Sequence, residues 1–399
     1  MSVYTVVKLA QVGALCLDGT PGAFGVLKSP TNSSVWQIYQ EGGGWCYDEM
    51  DCSERATGDL GSSAGYPTTF PADYAGGIMS PDCDVNPTFC DANKVYMKYC
   101  DGDSFSGARD DALEVADGPV SPIYFRGHEI LMGTLETLLS DWGLEDAEEV
   151  LLTGCSAGGL ATYLHTDMVG EWAEANLPQL TKYGAVPVSG FFLDHTNIMG
   201  DAVYPEEMAY TFNMANASRG VNQACIADYT ASDPDNLWKC NFAHGAYAHT
   251  DRPLFALDAS FDSWQSGNIF ATGVSDFVDC SGDFGECDKY QMYAVNAYQG
   301  DFVTQLMQWQ STLSSPQNGA FIYQCFTHCA GVSDGYFMGF TVDGVTMADA
   351  VDEWWVALSS SSSNVSYKYT RIDGLLGSDA SYTNPTCSSS FVDRNGQLL

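Results

Sequence analysis

Residues 150–159 read Val-Leu-Leu-Thr-Gly-Cys-Ser-Ala-Gly-Gly, and these ten residues set the expected architecture. The first four predict a strand, and the spacing of apolar residues from Ala157 to Met168 predicts a helix directly after the turn. The turn matches the pattern G-x-S-x-G, in which glycines permit a bend so tight that the serine projects from the strand end. Free N–H groups at the start of the helix favour negative charge there. The pattern therefore predicts that Ser156 is a nucleophile; the competing interpretation is a glycine-rich turn with a capping serine.

Strand-like and helix-like segments alternate through the rest of the chain. Apolar runs that precede loop residues predict further strands at 35–40, 123–125, 253–257 and 320–324. Helical spacing predicts helices at 129–141, 293–313 and 347–358. This alternation favours a mostly parallel central sheet with helices on both faces, so we predict an α/β-hydrolase-like fold.

The chain contains no break that separates two self-sufficient halves, and residues 1–399 are predicted to form one domain. Residues 51–118 are rich in Gly, Pro, Asp and Cys, and we predict a long loop-rich insertion tied by disulfides. The serine-rich residues 359–366 are predicted to be a flexible loop.

The charge of the chain excludes several classes of function. Lys and Arg total 15 and Asp and Glu total 51, so the formal net charge is −36. Such a surface repels phosphate backbones and anionic lipid headgroups, and the longest apolar runs are too short to span a bilayer. We therefore expect neither a nucleic-acid partner nor a membrane span, and we expect a monomer.

Fourteen cysteines indicate an oxidising compartment. Several lie at short separations, which are typical of disulfides: Cys46/Cys52, Cys83/Cys90, Cys225/Cys240, Cys280/Cys287 and Cys325/Cys329. The alternative is zinc, for which the sequence offers only the cluster Cys325, His328, Cys329. The spacing does not define the disulfide connectivity.

Export is also indicated by three Asn-x-Ser sequons, at Asn32, Asn216 and Asn364, which are candidate glycosylation sites. Residues 1–15 lack a continuous apolar stretch and a clear cleavage site, so they do not resemble a signal peptide. We therefore predict a secreted protein and expect its export segment to be absent from this sequence.

A glycine-rich loop early in the chain is the candidate oxyanion hole. Glu41-Gly42-Gly43-Gly44-Trp45-Cys46 follows a predicted strand. In α/β hydrolases a loop at this place supplies backbone N–H groups, joined by that of the residue after the nucleophile, here Ala157. A plain glycine-rich turn is the alternative.

The serine needs a base, and six histidines are available: His128, His165, His195, His244, His249 and His328. Because the expected order is Ser, then an acid, then His late in the chain, His328 is the best candidate. It follows the predicted strand 320–324 and is flanked by two cysteines that could hold its loop. A zinc ligand and a plain loop histidine are the alternatives.

The acid is expected at a strand end between the serine and the histidine. The run from Pro253 to Trp264 offers Asp258 and Asp262, and the residues alone favour neither. An acid there would hold the imidazole in the required tautomer and stabilise its charged form.

These segments together resemble the pectin acetylesterase family of plants and the related animal carboxylesterase Notum. The resemblance rests on stretches that occur in family order over nearly the whole chain: 16–21, 41–46, 99–102, 125–127, 154–159, 261–265 and 325–329. It implies a Ser156–Asp262–His328 triad and thus favours Asp262 over Asp258. It also implies an oxyanion hole at Gly43, Gly44 and Ala157, substrate contacts from Trp45 and Asp101, and no metal or organic cofactor.

The motif Gly-Gly-Gly-Trp-Cys favours the acetylesterase branch, in which acetyl groups are removed from acetylated pectin. Two other functions stay open: a Notum-like esterase for long acyl chains, and an inactive glycan-binding homologue. Because the net charge of −36 repels polygalacturonate, the substrate is either pectin in screening salt or a more neutral acetylated glycan.

Cys155, beside the nucleophile, is predicted to be a buried free thiol. That leaves an odd number of other cysteines, so at least one more is expected to lack a partner within the chain.

Overall fold

The computed structural model describes residues 2–282, 284–312, 317–359, 369–373 and 384–387. The strands are β1 Val3–Lys8, β2 Ala23–Leu27, β3 Val35–Gln40, β4 Thr69–Pro71, β5 Asn93–Met97, β6 Glu149–Cys155, β7 Lys182–Val188, β8 Phe255–Asp262, β9 Gly319–Thr327, β10 Thr341–Val342, β11 Val345–Thr346 and β12 Thr370–Ile372. The α-helices are α1 Glu49–Arg55, α2 Gly127–Asp141, α3 Ala157–Asn176, α4 Val203–Met214, α5 Gln223–Ser232, α6 Ala243–Tyr247, α7 Ser263–Gln265, α8 Val278–Gly282, α9 Lys289–Thr312, α10 Asp334–Gly339 and α11 Met347–Ala357.

Ten strands form one sheet in the order β12-β9-β8-β7-β6-β3-β5-β2-β1-β4. The seven strands from β12 to β5 pair in parallel, and β2, β1 and β4 continue the sheet with antiparallel pairs. The prediction of an α/β-hydrolase-like fold with a mostly parallel sheet is therefore confirmed. Among the described residues, the short strands β10 and β11 form a separate two-stranded sheet.

The predicted helices at 129–141, 293–313 and 347–358 correspond to α2, α9 and α11. Residues 123–125 were predicted to be a strand, but Ile123 forms only an isolated bridge with Leu113. The predicted strands at 253–257 and 320–324 both continue further, as β8 and β9, and this extension carries each strand to the functional site.

Residues 51–118 contribute more to the sheet than a loop-rich insertion would. β5 lies between β2 and β3 in the interior of the sheet, and β4 forms its edge. β5 is buried along its whole length, including Lys94, whose ammonium group donates hydrogen bonds to Gln37 and Phe89. The loops on either side of β5 are tied by the disulfides Cys16–Cys100 and Cys83–Cys90. The predicted flexible loop at 359–366 lies outside the described residues except for Ser359.

All fourteen cysteines are paired in seven disulfides. Four predicted short-range pairs are present: Cys46–Cys52, Cys83–Cys90, Cys225–Cys240 and Cys280–Cys287. The pairing of Cys325 with Cys329 is wrong, because Cys325 pairs with Cys387 and Cys329 pairs with Cys155. The predicted free thiol at Cys155 and the predicted further unpaired cysteine are therefore wrong as well. Neither Cys325 nor Cys329 carries a thiolate for zinc, which removes the zinc alternative for that cluster.

No helix in the described part of the chain combines the length and the apolar character that crossing a membrane requires.

Candidate active site

The carboxyl ends of parallel strands bring the predicted site residues to one edge of the sheet. Ser156 follows the last residue of β6, Asp262 is the last residue of β8, and His328 follows the last residue of β9. The strands β9, β8, β7 and β6 are consecutive neighbours in the sheet. Crevices outside the carboxyl ends of such strands are where α/β proteins bind ligands.

The turn at Ser156 has the backbone that a sharp strand-to-helix bend requires. Ser156 has φ 62° and ψ −127°, a backbone conformation that residues other than glycine rarely adopt. The neighbouring glycines allow α3 to pack tightly against β3, because a Cβ atom on Gly158 would lie 2.0 Å from the carbonyl oxygen of Gln40. Ser156 is the N-cap residue of the 20-residue helix α3, whose first N–H groups have no acceptor within the helix.

His328 and Asp262 form a hydrogen-bonded pair. Nδ1 of His328 lies 2.7 Å from Oδ2 of Asp262. The other carboxylate oxygen, Oδ1, accepts hydrogen bonds from the N–H groups of Trp264 and Gln265, both at 3.0 Å. Asp262 is only 4% exposed. The carboxylate is thus fixed by the backbone through one oxygen and orients the imidazole through the other.

The disulfide Cys155–Cys329 joins the residue before Ser156 to the residue after His328. Hydrogen bonds to the end of β7 also hold the two cross-linked segments. The N–H of Ser156 donates to the carbonyl of Val188, and the N–H of Cys329 donates to Oγ of Ser189 at 3.0 Å. The Cα atoms of the two cysteines are 5.8 Å apart. The serine and histidine backbones are therefore tied together although 172 positions separate them in the sequence.

Nε2 of His328 is buried and has no hydrogen-bond partner among the described residues. It is the ring nitrogen that Asp262 leaves free, and on the ordinary geometry of such sites it is the one that would receive a proton. Hydrogen bonds between base and nucleophile are often long before substrate binds and shorten in the complex.

The electrostatics of His328 are set by two opposing effects. Burial lowers the pKa of the imidazole, but the charge and hydrogen bond of Asp262 more than offset this, so the pKa of His328 lies above its ordinary value. The nearby Asp258 carboxylate acts in the same direction as Asp262. The arrangement thus stabilises the protonated imidazole.

Asp258, the other candidate acid, lies inside β8 and is 1% exposed. Its Oδ1 accepts a hydrogen bond from the N–H of Phe191 at 3.4 Å, and burial raises its pKa to about 7. No hydrogen bond in the described structure joins it to His328. The structure therefore pairs Asp262, and not Asp258, with the imidazole.

Three of the other histidines are engaged elsewhere. Nδ1 of His165 contacts Gln40, and burial lowers the pKa of His165 to about 3. His195 contacts Asp301, and His249 contacts Asp228.

The glycine-rich loop of residues 41–46 lies directly against the Ser156 turn. A Cβ atom on Gly42 would lie 2.2 Å from the carbonyl oxygen of Cys155 and 2.8 Å from Cβ of Ser156. At its start, the Glu41 carboxylate pairs with Lys98 at 2.5 Å and accepts the N–H of Tyr99. Only glycine at position 42 allows this approach.

Two side chains fix the carbonyl groups of this loop. Arg55 donates to the carbonyl of Gly43 at 2.9 Å, and the Tyr99 hydroxyl donates to the carbonyl of Gly44 at 2.8 Å. Across a planar trans peptide the C=O of one residue and the N–H of the next point in opposite directions. The N–H groups of Gly44 and Trp45 therefore point away from Arg55 and Tyr99, and no acceptor within the described ranges takes them.

The two residues predicted to bind substrate differ in their positions. Trp45 belongs to an aromatic cluster with Phe192 and Trp264, with ring centroids 5.0 and 5.5 Å away, and Trp264 lies 6.5 Å from the His328 ring. Asp101 is fully buried and accepts hydrogen bonds from the N–H groups of Asp103 and Phe105. Its position gives it a role in shaping the loop after β5 and offers no surface for contact with substrate.

Sequence reasoning missed the residues that hold the site together. Arg55 and Tyr99 act on backbone carbonyls, Ser189 acts on the Cys329 N–H, and Cys155 pairs across the sheet. These contacts join residues that are distant in the chain, and no local pattern marks them.

The chain is similar to known proteins over most of its length. The family model described as Pectinacetylesterase matches residues 1–374. Pectin acetylesterase 5 of Arabidopsis thaliana is 31% identical over 361 residues, which cover 87% of this chain and 79% of that protein. The palmitoleoyl-protein carboxylesterase NOTUM of Homo sapiens is 28% identical over 275 residues, which cover 66% of this chain and 52% of that protein. Among solved structures, the Wnt deacylase Notum from Drosophila has a TM-score of 0.72 and 25% identity, and the match covers 91% of this chain and 95% of that one.

Proposed function

Since this chain belongs to the pectinacetylesterase family, we propose that it is a serine ester hydrolase that releases acetate from an O-acetylated polysaccharide. Ser156 is the proposed nucleophile, His328 the base and Asp262 the acid. Gly43, Gly44 and Ala157 are the predicted oxyanion donors, and the orientation of the loop carbonyls adds Trp45 to these candidates.

One observation carries the proposal: the Asp262–His328 hydrogen bond of 2.7 Å lies at the strand edge where Cys329 is cross-linked to Cys155. A carboxylate, an imidazole and a serine on a strand-to-helix turn are the groups that acyl transfer uses. The family membership supports ester hydrolysis as the reaction.

In the proposed mechanism, His328 takes the proton of the Ser156 hydroxyl as Oγ attacks the carbonyl carbon of the ester. Backbone N–H groups of the glycine-rich loop and of Ala157 stabilise the oxyanion. The intermediate then breaks its bond to the sugar oxygen, which leaves with the proton from His328. Water, deprotonated by His328, attacks the acyl-enzyme, and acetate and free Ser156 are formed.

A short acyl group is favoured by the packing beside His328. The ring centroids of Phe192 and Trp264 lie 6.3 and 6.5 Å from that of His328, and Trp45 packs against both rings. We expect kcat/KM for 4-nitrophenyl acetate to exceed that for the octanoate by at least about tenfold, because a longer chain would have to displace these rings. A preference for octanoate would instead favour the alternative of a long-chain acyl esterase.

The variant Asp262→Asn is expected to lower kcat by roughly 10⁴-fold, because the amide no longer holds the required tautomer or stabilises the imidazolium. Since His328 must be neutral to accept a proton, kcat/KM of the wild type rises with pH through a pKa above the ordinary 6.5. Loss of the Asp262 charge removes the main cause of that elevation, so the acidic limb of the residual activity should shift to lower pH. A pH–rate profile of both enzymes measures this.

The comparison variant for that experiment is Asp258→Asn, which changes the other buried carboxyl of β8. If Asp258→Asn lost more activity than Asp262→Asn, the assignment of the acid would be wrong.

Secretion is part of the proposal. Seven disulfides and no free cysteine fit an oxidising compartment. Asn32 and Asn216 are exposed and could accept glycans, whereas Asn364 lies outside the described residues. We further propose that the chain acts as one domain and as a monomer.

A further inference from the structure

A cavity of about 430 Å³ lies beside the candidate active site and has no part in the chemistry described above. One wall is formed by the loop after β7: Phe192 packs against Trp264 and faces His328, and the residues that follow, Asp194 and His195, line the cavity. Because two residues span at most about 7 Å, the cavity is within reach of a polymer whose ester is bound at Ser156.

The opposite wall is formed by α4 and the segment before α6. Tyr204 packs against Trp45 and Trp264 on the side of the active site, while Glu206, two residues later, lines the cavity. Ring contacts connect the two regions: Tyr204 packs against Phe242, and Phe242 packs against Trp238, which lines the cavity.

Trp238 gives the cavity a fixed aromatic face. Its Nε1 donates to Oδ1 of Asn236 at 3.0 Å, and its ring packs at 5.8 Å against Phe242. The side chain is half-buried, and the Lys239 ammonium lies 5.7 Å from the ring centroid. The part of the ring that neither Phe242 nor Lys239 covers stays accessible. The negative face of an aromatic ring attracts the C–H groups on one face of a pyranose, whose hydrogens carry partial positive charge.

The polar groups of the cavity suit hydroxyls better than carboxylates. Asp194 and Glu206 contribute two negative charges, against one positive charge from Lys239, which lies 3.9 Å from Asp194. Carboxylates accept hydrogen bonds from sugar hydroxyls, but they repel a uronate carboxylate. The net charge of −36 acts in the same direction.

We propose that this cavity is a sugar-binding subsite for a neutral O-acetylated glycan, with a pyranose ring stacked on Trp238 and its hydroxyls bonded to Asp194 and Glu206. The inference rests on the proposed function and names its substrate class: acetylated glucomannan or xylan in preference to acetylated polygalacturonate.

The test compares acetate release from acetylated glucomannan, acetylated polygalacturonate and 4-nitrophenyl acetate. We expect the wild type to prefer glucomannan over polygalacturonate. Trp238→Ala should raise KM for glucomannan about tenfold and leave kcat and KM for 4-nitrophenyl acetate unchanged. The control is Trp172→Ala, which changes a half-buried tryptophan of α3 that lies about 24 Å along the helix from Ser156. This variant should leave kcat and KM unchanged for both glucomannan and 4-nitrophenyl acetate.

A second variant, Glu206→Lys, tests the charge argument at an exposed position where folding is not at risk. It should raise kcat/KM for acetylated polygalacturonate several-fold at low salt and lose this gain at high salt. A wild type that prefers polygalacturonate or releases acetate from neither polymer, or a Trp238→Ala variant with unchanged KM for glucomannan, would overturn the subsite. Absence of activity on 4-nitrophenyl acetate in the wild type would instead overturn the proposed function itself.

Discussion

Replacing Ser156 by alanine is expected to lower kcat for a small acetyl ester by roughly 10⁶-fold, because the acyl-enzyme can no longer form. The N–H groups of the glycine-rich loop remain in Ser156→Ala, so a low residual rate above that in water is expected. The fold should persist, since Ser156 makes no side-chain hydrogen bond in the described structure and alanine tolerates the same backbone about as well as serine does. Initial rates with 4-nitrophenyl acetate and a thermal melt measure the two effects.

The control for this experiment is Ser140→Ala, which changes an exposed serine of α2 and should keep full activity. A fluorophosphonate probe should label the wild type and Ser140→Ala but not Ser156→Ala. Labelling that survives in Ser156→Ala, or hydrolysis at the wild-type rate, would refute the assignment of the nucleophile. A wild type that neither hydrolyses esters nor reacts with the probe would favour an inactive glycan-binding protein.

Removal of the Cys155–Cys329 disulfide is expected to have the second large effect. The bond closes a loop of 174 residues, so its loss in the variant Cys155→Ala/Cys329→Ala should lower the free energy of unfolding by about 4–5 kcal/mol. Activity should also fall in the fraction that stays folded, because the backbones of Ser156 and His328 lose their covalent link. Denaturant unfolding followed by fluorescence, and kcat measured well below the melting temperature, test both expectations.

The matched control is Cys83→Ala/Cys90→Ala, which removes a disulfide of sequence separation 7 before the amino end of β5. Its loss should lower the free energy of unfolding by only about 2–3 kcal/mol. It should leave kcat unchanged, because this disulfide lies at the amino ends of the parallel strands, away from the carboxyl ends that hold the site. If both double variants had the wild-type kcat, the proposed positioning role of Cys155–Cys329 would be wrong.

The two candidate acids show where local sequence information ends. Asp258 and Asp262 are four residues apart in one apolar run, and the residues before them predicted that the strand ends at Leu257. In the structure β8 continues to Asp262, and a register shift between Ala259 and Phe261 aligns Asp262 with Thr327, the residue before His328. The resemblance to a family implied Asp262. The residues of β8 alone do not select it, because register depends on pairing with β9.

The fold class, the nucleophile turn and the oxyanion loop followed from short-range patterns, and the choice of His328 followed from the order of the candidate residues along the chain. Strand, tight glycine turn and helix are adjacent in the chain at Ser156, and backbone sterics make such a pattern specific. Contacts between residues that are distant in the sequence became visible only in the packed sheet. They are the disulfide partners of Cys155 and Cys325, the hydrogen bonds from Arg55 and Tyr99 to the loop carbonyls, and the burial of Asp101. Which distant residues meet depends on strand order and register, and these are properties of the whole assembled sheet that no single segment encodes.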